Sequence, residues 1–463
     1  MAMDEVPPPE AFEPEPLQPT RRDRLRRWLQ VALILVLVAS MVVLAVAQSG
    51  AVPSLGLFEG DDRSARIAVV DAAGSLAWMD RSGGSPTSYA PEGVRFQFPA
   101  WSPDGTRVAA IGNGPDGSGV YVLHARAPAD APAAPVILYE SRDRPPFYLY
   151  WTPDGRQLSF LTTEPDGLAL RVAPADGSGS AYVVQAGAPM YWSFIGPDAM
   201  LVHSGTTGAE SFFGEVGLDG SPFAGTDRAA GVFRAPAVSP DGRLRAYLAA
   251  GNDGIGEVVR ESRDGTGTTR IRVFGTGAVS FSPTDGALAF VAPDQPVSPA
   301  PPLPVGPLRV LDPGAAEPRT LLARSVVGFF WSPSGREIAA LSIEDSGNPV
   351  TEANRDQVVL ASTSFAGTRA VAQAGVSLRL SFVSVSEGAI RSELSVRVSD
   401  LFVGQVLPFF DQYALSHRFW SPDGASIILP LVGAADTTEL TVIPADGRET
   451  RTVAIGEIAS WSP

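Results

Sequence analysis

The pentapeptide W-S-P-D-G occupies Trp101–Gly105, returns as W-T-P-D-G at Trp151–Gly155, and recurs unchanged at Trp420–Gly424. Aligning the chain on it gives anchors at Trp101, Trp151, Trp192, Val238, Phe281, Trp331, Trp420 and Trp461, spaced by 50, 41, 46, 43, 50, 89 and 41 residues. A period of about 40–50 residues with an aromatic anchor admits few folds, because one repeat alone cannot bury its apolar face and must stack on its neighbours. The residues beside each anchor identify the element. Ser-Pro-Asp-Gly suits a type I turn, with proline presetting φ at the second position and glycine at the fourth. Short apolar runs follow the turns: V-A-A-I from Val108, L-S-F-L from Leu158, A-L-A-F-V from Ala287 and I-A-A-L from Ile338. Further runs, such as V-Y-V-L from Val120 and V-I-L-Y from Val136, complete about four strands per period. That is one blade of a β-propeller. The anchor aromatics are expected to pack between neighbouring blades. Asp104, Asp154, Asp241 and Asp423 are expected to serve their own turns rather than a cation.

The pattern W-S-P-D-G-x-x-[IVL]-A-[FAL] resembles the propeller repeats of the TolB family and its WD-like bacterial relatives, from about Arg66 to Pro463. The resemblance implies an all-β fold in which each anchor ends an innermost strand and the turn leads outward to the second. It is specific for fold and unspecific for function. Counting on that convention gives eight blades, with seven or nine as alternatives set by the 89-residue gap. The gap reads as a blade with an insertion at about 376–419; the alternative makes V-S-L-R-L-S-F-V from Val376 the inner strand of a ninth. Arg66–Ala90 supplies outer strands with no inner strand before them, and G-E-I-A-S-W-S-P from Gly456 supplies the missing one. The C-terminal strand would then close the first blade and remove the exposed sheet edges.

The first 64 residues read as a separate address. Residues 1–27 form an acidic, proline-rich tail ending in Arg21, Arg22, Arg24, Arg26 and Arg27. The apolar run from Trp28, over 28–48, is long enough to span a hydrocarbon core of roughly 30 Å. Arginines on its N-terminal side put the N-terminus in the cytoplasm and the bulk of the chain outside. The alternative is export with cleavage near Ala47, where Ala45-Val46-Ala47 has the small-residue form of a signal-peptidase site. Residues 49–64 are a linker, and 65–463 the extracytoplasmic propeller.

Composition then narrows function. The formal net charge is −15 and no lysine occurs, so the chain lacks the basic face that nucleic acid requires. With no cysteine there is neither a disulfide nor a thiolate site. No G-x-S-x-G, H-E-x-x-H or P-loop pattern occurs, and there are three histidines: His124, His203 and His417. No catalytic residue, metal or cofactor is therefore expected. The most unusual stretch is Ser399–Phe419, in which Ser399 can cap a short helix that Pro408 limits. With the connections at Arg142 and Ala230 it brings candidate binding residues to the face opposite the S-P-D-G turns: Arg144, Phe147, Tyr148, Arg234, Phe409, Phe410, Asp411, Tyr413, His417 and Arg418. The competing account packs the same insert over the propeller's end. The function expected is a non-catalytic, membrane-tethered scaffold that binds a protein or envelope component. A carbohydrate- or peptide-binding sensor and a channel-site hydrolase or lyase are the alternatives.

Overall fold

The computed structural model describes residues 65–125, 134–205, 212–221, 235–250, 255–296, 303–344, 377–434 and 437–463. The expected tail, membrane helix and linker (1–27, 28–48, 49–64) lie outside them. Among the described residues no helix is long and apolar enough to cross a membrane.

Antiparallel strands follow one another in a repeating unit. β1 (Arg66–Asp71), β2 (Leu76–Asp80) and β3 (Thr87–Tyr89) pair in chain order. β4 (Arg95–Trp101), β5 (Arg107–Gly114), β6 (Gly117–His124) and β7 (Val136–Ser141) make a four-stranded sheet. So do β8 (Pro146–Trp151), β9 (Gln157–Glu164), β10 (Gly167–Pro174) and β11 (Tyr182–Ala186). Three described strands follow: β12 (Met190–Phe194), β13 (Ala199–Ser204) and β14 (Phe212–Gly217). β15 (Ala237–Val238), β16 (Leu244–Ala250), β17 (Ile255–Ser262) and β18 (Thr269–Phe274) form the next sheet. β19 (Ala278–Phe281), β20 (Leu288–Val291), β21 (Gly306–Leu311), β22 (Arg319–Trp331), β23 (Glu337–Ile343), β24 (Ser377–Ser384) and β25 (Ile390–Arg397) form a seven-stranded sheet. Finally β26 (Ser426–Val432), β27 (Thr438–Pro444) and β28 (Arg451–Trp461) join β1–β3 in a six-stranded one.

The two large sheets arise because one long strand serves two units. In β28, Arg451–Ile455 pairs with β27, whereas Gly456–Trp461 pairs with β1. The terminal segment thus takes the inner position beside β1, as its sequence implies. β22 does the same: its first half pairs with β21, and Val326–Trp331 pairs with β23. β24 lies between β23 and β25, so the stretch from Val376 is a third strand and not an inner one. The insertion expected over 376–419 accordingly narrows to a helical segment between Ser399 and His417.

The anchors hold neighbouring inner strands together. Trp101 Nε1 donates to Ser460 O at 3.0 Å, Trp151 Nε1 to Ala100 O at 3.0 Å, Trp331 Nε1 to Ser280 O at 3.2 Å and Trp420 Nε1 to Phe330 O at 2.9 Å. In each case the acceptor is the residue just before the anchor of the preceding unit. The indole therefore fills the space between sheets and also fixes their spacing. Trp192, in the degenerate repeat, donates instead to Ser159 Oγ at 3.0 Å. Its carbonyl accepts from Tyr150 Oη at 3.1 Å. Close to the axis the sheets converge, and the second strands meet that constraint with Ala109, Ala110, Ala339 and Ala340, all fully buried.

The turns form as expected. In the first, Gly105 N donates to Ser102 O at 2.9 Å, and Gly105 has φ +67°, a left-handed value that glycine adopts without strain. Asp104 Oδ1 accepts from Ser102 Oγ, Thr106 N and Thr106 Oγ1. Asp154, Asp241 and Asp423 repeat the pattern with their own turns.

Candidate functional site

Inner strands run toward the S-P-D-G turns, so connections between units emerge at the opposite end of the ring. One of these connections is the Ser399–His417 segment. Ser399 Oγ accepts the Phe402 N–H at 3.3 Å, starting a helical run. The chain then forms a π-helical turn over Phe402–Val406, a 3₁₀ turn over Leu407–Phe409, and the helix α1 (Phe410–Ser416). Pro408 falls in the 3₁₀ turn, where its missing N–H is tolerated. Its expected effect, ending the helix, is replaced by a change of helical geometry.

This segment sits on the ring axis, because it touches inner strands on all sides. Phe410 meets Phe329 and Phe330 of β22 at 5.1 and 6.1 Å between ring centres. Tyr413 meets Phe98 of β4 at 5.3 Å and Tyr148 of β8 at 5.1 Å. Phe409 lies 5.8 Å from Tyr148 and 6.3 Å from Tyr191 of β12, while Gln412 Nε2 donates to Trp192 O at 3.2 Å. The insert is an aromatic plug in one mouth of the channel.

The inner strands are shaped to receive it. Phe98 and Tyr148 each stand three residues before a tryptophan anchor, each beside a register shift, with φ +52° and +51°. A left-handed backbone at an aromatic residue costs about 1–3 kcal/mol and persists only where the surroundings enforce it. Here it turns both rings toward Tyr413. The equivalent position before Trp331 is Gly328, where a Cβ would lie 2.7 Å from Leu407 Cδ1. Sequence reasoning missed Phe98 and Gly328; the signal was available, since both share the third place before an anchor with Tyr148.

Burial sets the electrostatics. It pushes the Tyr148 hydroxyl well above the usual tyrosine range, with Tyr413, Tyr191 and Asp411 adding to the effect, and it also raises Tyr413. Burial lowers His417 to about 4, against a smaller opposing effect of the Phe98 backbone. His417 Nδ1 lies 2.7 Å from Ser416 Oγ.

The structure divides the ten candidate binding residues. Phe410, Asp411, Tyr413 and His417 are buried in the plug, so their expected role as a partner-facing surface is corrected to packing. Phe147, Tyr148 and Phe409 are half-buried against it. Arg144 is exposed and paired with Glu164 at 3.0 Å, whereas Arg418, in the segment that follows the plug, has a guanidinium that burial pushes below the usual arginine range. Arg234 lies outside the described residues. The plug also exposes Leu415, 42 % accessible, which the sequence did not single out.

No protein-family model and no curated protein sequence matches the chain. Solved structures do. The dihydro-heme d1 dehydrogenase NirN, in complex with DHE, is 15 % identical over 88 % of this chain and 77 % of its own, with a TM-score of 0.50. A eukaryotic initiation factor is 12 % identical over 87 % of this chain and 99 % of its own, also at 0.50. TolB from Acinetobacter baumannii is 15 % identical over 86 % and 67 %, with a TM-score of 0.38. Identities this low speak for fold alone, and the fold is a β-propeller.

Proposed function

We propose that this TolB-like β-propeller is a non-catalytic binding scaffold for a protein or envelope component, docking through the plugged end of its ring. We count eight blades. The long strands β22 and β28 each end one blade and begin the next, and the Trp420 indole reaches the strand of Trp331 with no repeat between them. Residues 28–48 would tether the ring as a membrane helix with the propeller outside the cytoplasm, a reading supported by the arginines before a long apolar run that within Trp28–Ala47 only Gln30 and Ser40 interrupt.

One observation carries the docking reading. A buried aromatic insert occupies the channel mouth and leaves Leu415, on its last helix, exposed to solvent. An exposed leucine on a well-packed element suits an interface centre, with charged groups around it as the rim. A photo-crosslinking side chain at position 415 of the full-length protein, in its native membrane, tests this. A discrete adduct to a single partner is expected. Adducts that form only from the turn end of the ring would overturn the assignment.

A further inference from the structure

The S-P-D-G end of the ring carries a feature that the docking reading does not use. Around most of that face, each turn glycine abuts the turn of the preceding unit. A Cβ built on Gly155 would lie 3.3 Å from Pro103 Cδ, one on Gly105 3.4 Å from Pro463 Cδ, and one on Gly335 would strike Thr284. The turns therefore interlock. The unit containing Trp192 breaks the pattern: its turn reads F-I-G-P-D over Phe194–Asp198, and Gly196 has nothing within 4 Å. Where the interlock fails, a cavity of about 580 Å³ opens, walled by Arg107, Asp154, Arg156, Asp176, Ser178 and Asp198, with Gln157 between them. That volume lies in the range of small-molecule sites, roughly 300–1,000 Å³.

Several of its groups are already held in place. The Arg107 guanidinium donates to Gly155 O at 2.7 Å and lies 4.8 Å over the Trp151 ring. Asp154 Oδ1 accepts the Arg156 N–H at 3.0 Å, and Asp176 Oδ1 the Ser178 N–H at 2.9 Å. Those contacts keep both carboxyls ionised, below the usual carboxylate range. Gln157 Nε2 donates to Tyr182 Oη at 3.2 Å, which fixes the Gln157 amide at the opening. The Arg156 side chain is 86 % exposed. Among the described residues no three acidic or imidazole groups stand close enough to hold a metal ion.

We propose that this cavity binds a short neutral saccharide. Donors (Arg107, Arg156, Gln157, Ser178) and acceptors (Asp154, Asp176, Asp198) share one opening. A ligand that presents hydroxyls, each both donor and acceptor, satisfies such a set, whereas a lone anion or cation meets half of it as repulsion. The proposal is independent of the docking reading, since the two lie at opposite ends of the ring.

Titration of the full-length protein in detergent with maltotriose, cellotriose and chitotriose, followed by calorimetry and tryptophan fluorescence, is the test. At least one trisaccharide is expected to bind saturably. Arg156→Ala and Asp198→Asn, both at exposed side chains, should each weaken it tenfold or more without changing Tm. Leu415→Ala, at the other end, should leave binding unchanged. Absence of saturable binding by all three sugars, or binding indifferent to both substitutions, would overturn the proposal. Equally tight but salt-sensitive binding of a galacturonate trimer would overturn its neutral character.

Discussion

At the residue scale, the repeat is a set of small hydrogen-bonding jobs done many times. The turn aspartates illustrate one: burial pushes the Asp104 carboxyl up, but Ser102, Thr106 and the nearby Arg107 outweigh it and hold it at about 2. The anchor indoles illustrate another. Trp151→Phe keeps most of the ring packing and removes the donor to Ala100 O, leaving that carbonyl without the indole. A loss of about 1–2 kcal/mol is expected, read as a lower urea midpoint at unchanged m-value. The turn roles and the packing of the anchors were legible in the sequence, because they depend on neighbours within five residues or on a recurring motif, whereas the indole hydrogen bonds depend on the strand next to each anchor. The position of Phe98, three residues before an anchor like Tyr148, was also there to be read, but its partner Tyr413 lies more than three hundred residues away in the chain, and no local pattern names it.

At the scale of elements, the plug behaves as one apolar unit with a titratable group inside it. His417 is 2 % exposed and its value is held near 4 by burial. Its unfolded value is about 6.5, so between those limits the unfolded chain binds the extra proton. Folded stability is therefore intact above about pH 6.5, falls as the pH drops toward 4, and is constant below that with respect to this group. The full change is on the order of 3 kcal/mol. Chemical denaturation from pH 7.5 to 4 should show this slope in the wild type and a flatter one in His417→Gln. Equal slopes would remove His417 as the cause. The helix start at Ser399 was readable from sequence, whereas its burial was not. An amphipathic insert looks the same whether its aromatic side meets a partner or a channel wall, and only closure of the ring brings β4, β8, β12 and β22 to one axis.

For the whole molecule, the joints of the ring differ in kind. A continuous apolar cluster runs through the sheets containing β4–β9 and β19–β28, and separate clusters join β8–β11 to β12–β14 and β15–β18 to β19–β21. Among the described residues, the buried apolar cluster between β12–β14 and β15–β18 is Leu201, Phe213, Tyr247 and Val259, with Ile195, Val238 and Ala249 packed against it. Charge supplements it there. Glu215 accepts two hydrogen bonds from Arg263, Arg245 lies 3.5 Å from Glu215, and Arg245 Nε donates to Glu261 at 2.9 Å. Removing one member of such a buried set strands the others, so Glu215→Ala should cost about 3–5 kcal/mol. Native-state hydrogen exchange should quicken first in β13, β14, β16 and β17, because among the described residues this joint has a small apolar cluster and relies on ion pairs. Uniform acceleration around the ring would contradict a weak joint.

What the sequence determined by itself was the repeating unit: strand, S-P-D-G turn, strand, with a recurrent large anchor, most often tryptophan, packed between neighbours. Local φ preferences and a fixed hydrophobic period suffice for that, and so does the pairing of Gly456–Trp461 with the first strands. Tertiary structure alone decided which way the Ser399–His417 insert faces, where the turns fail to interlock, and which joint is ionic. Those outcomes depend on residues far apart in the chain arriving at one axis or one seam, and no local pattern encodes that arrival.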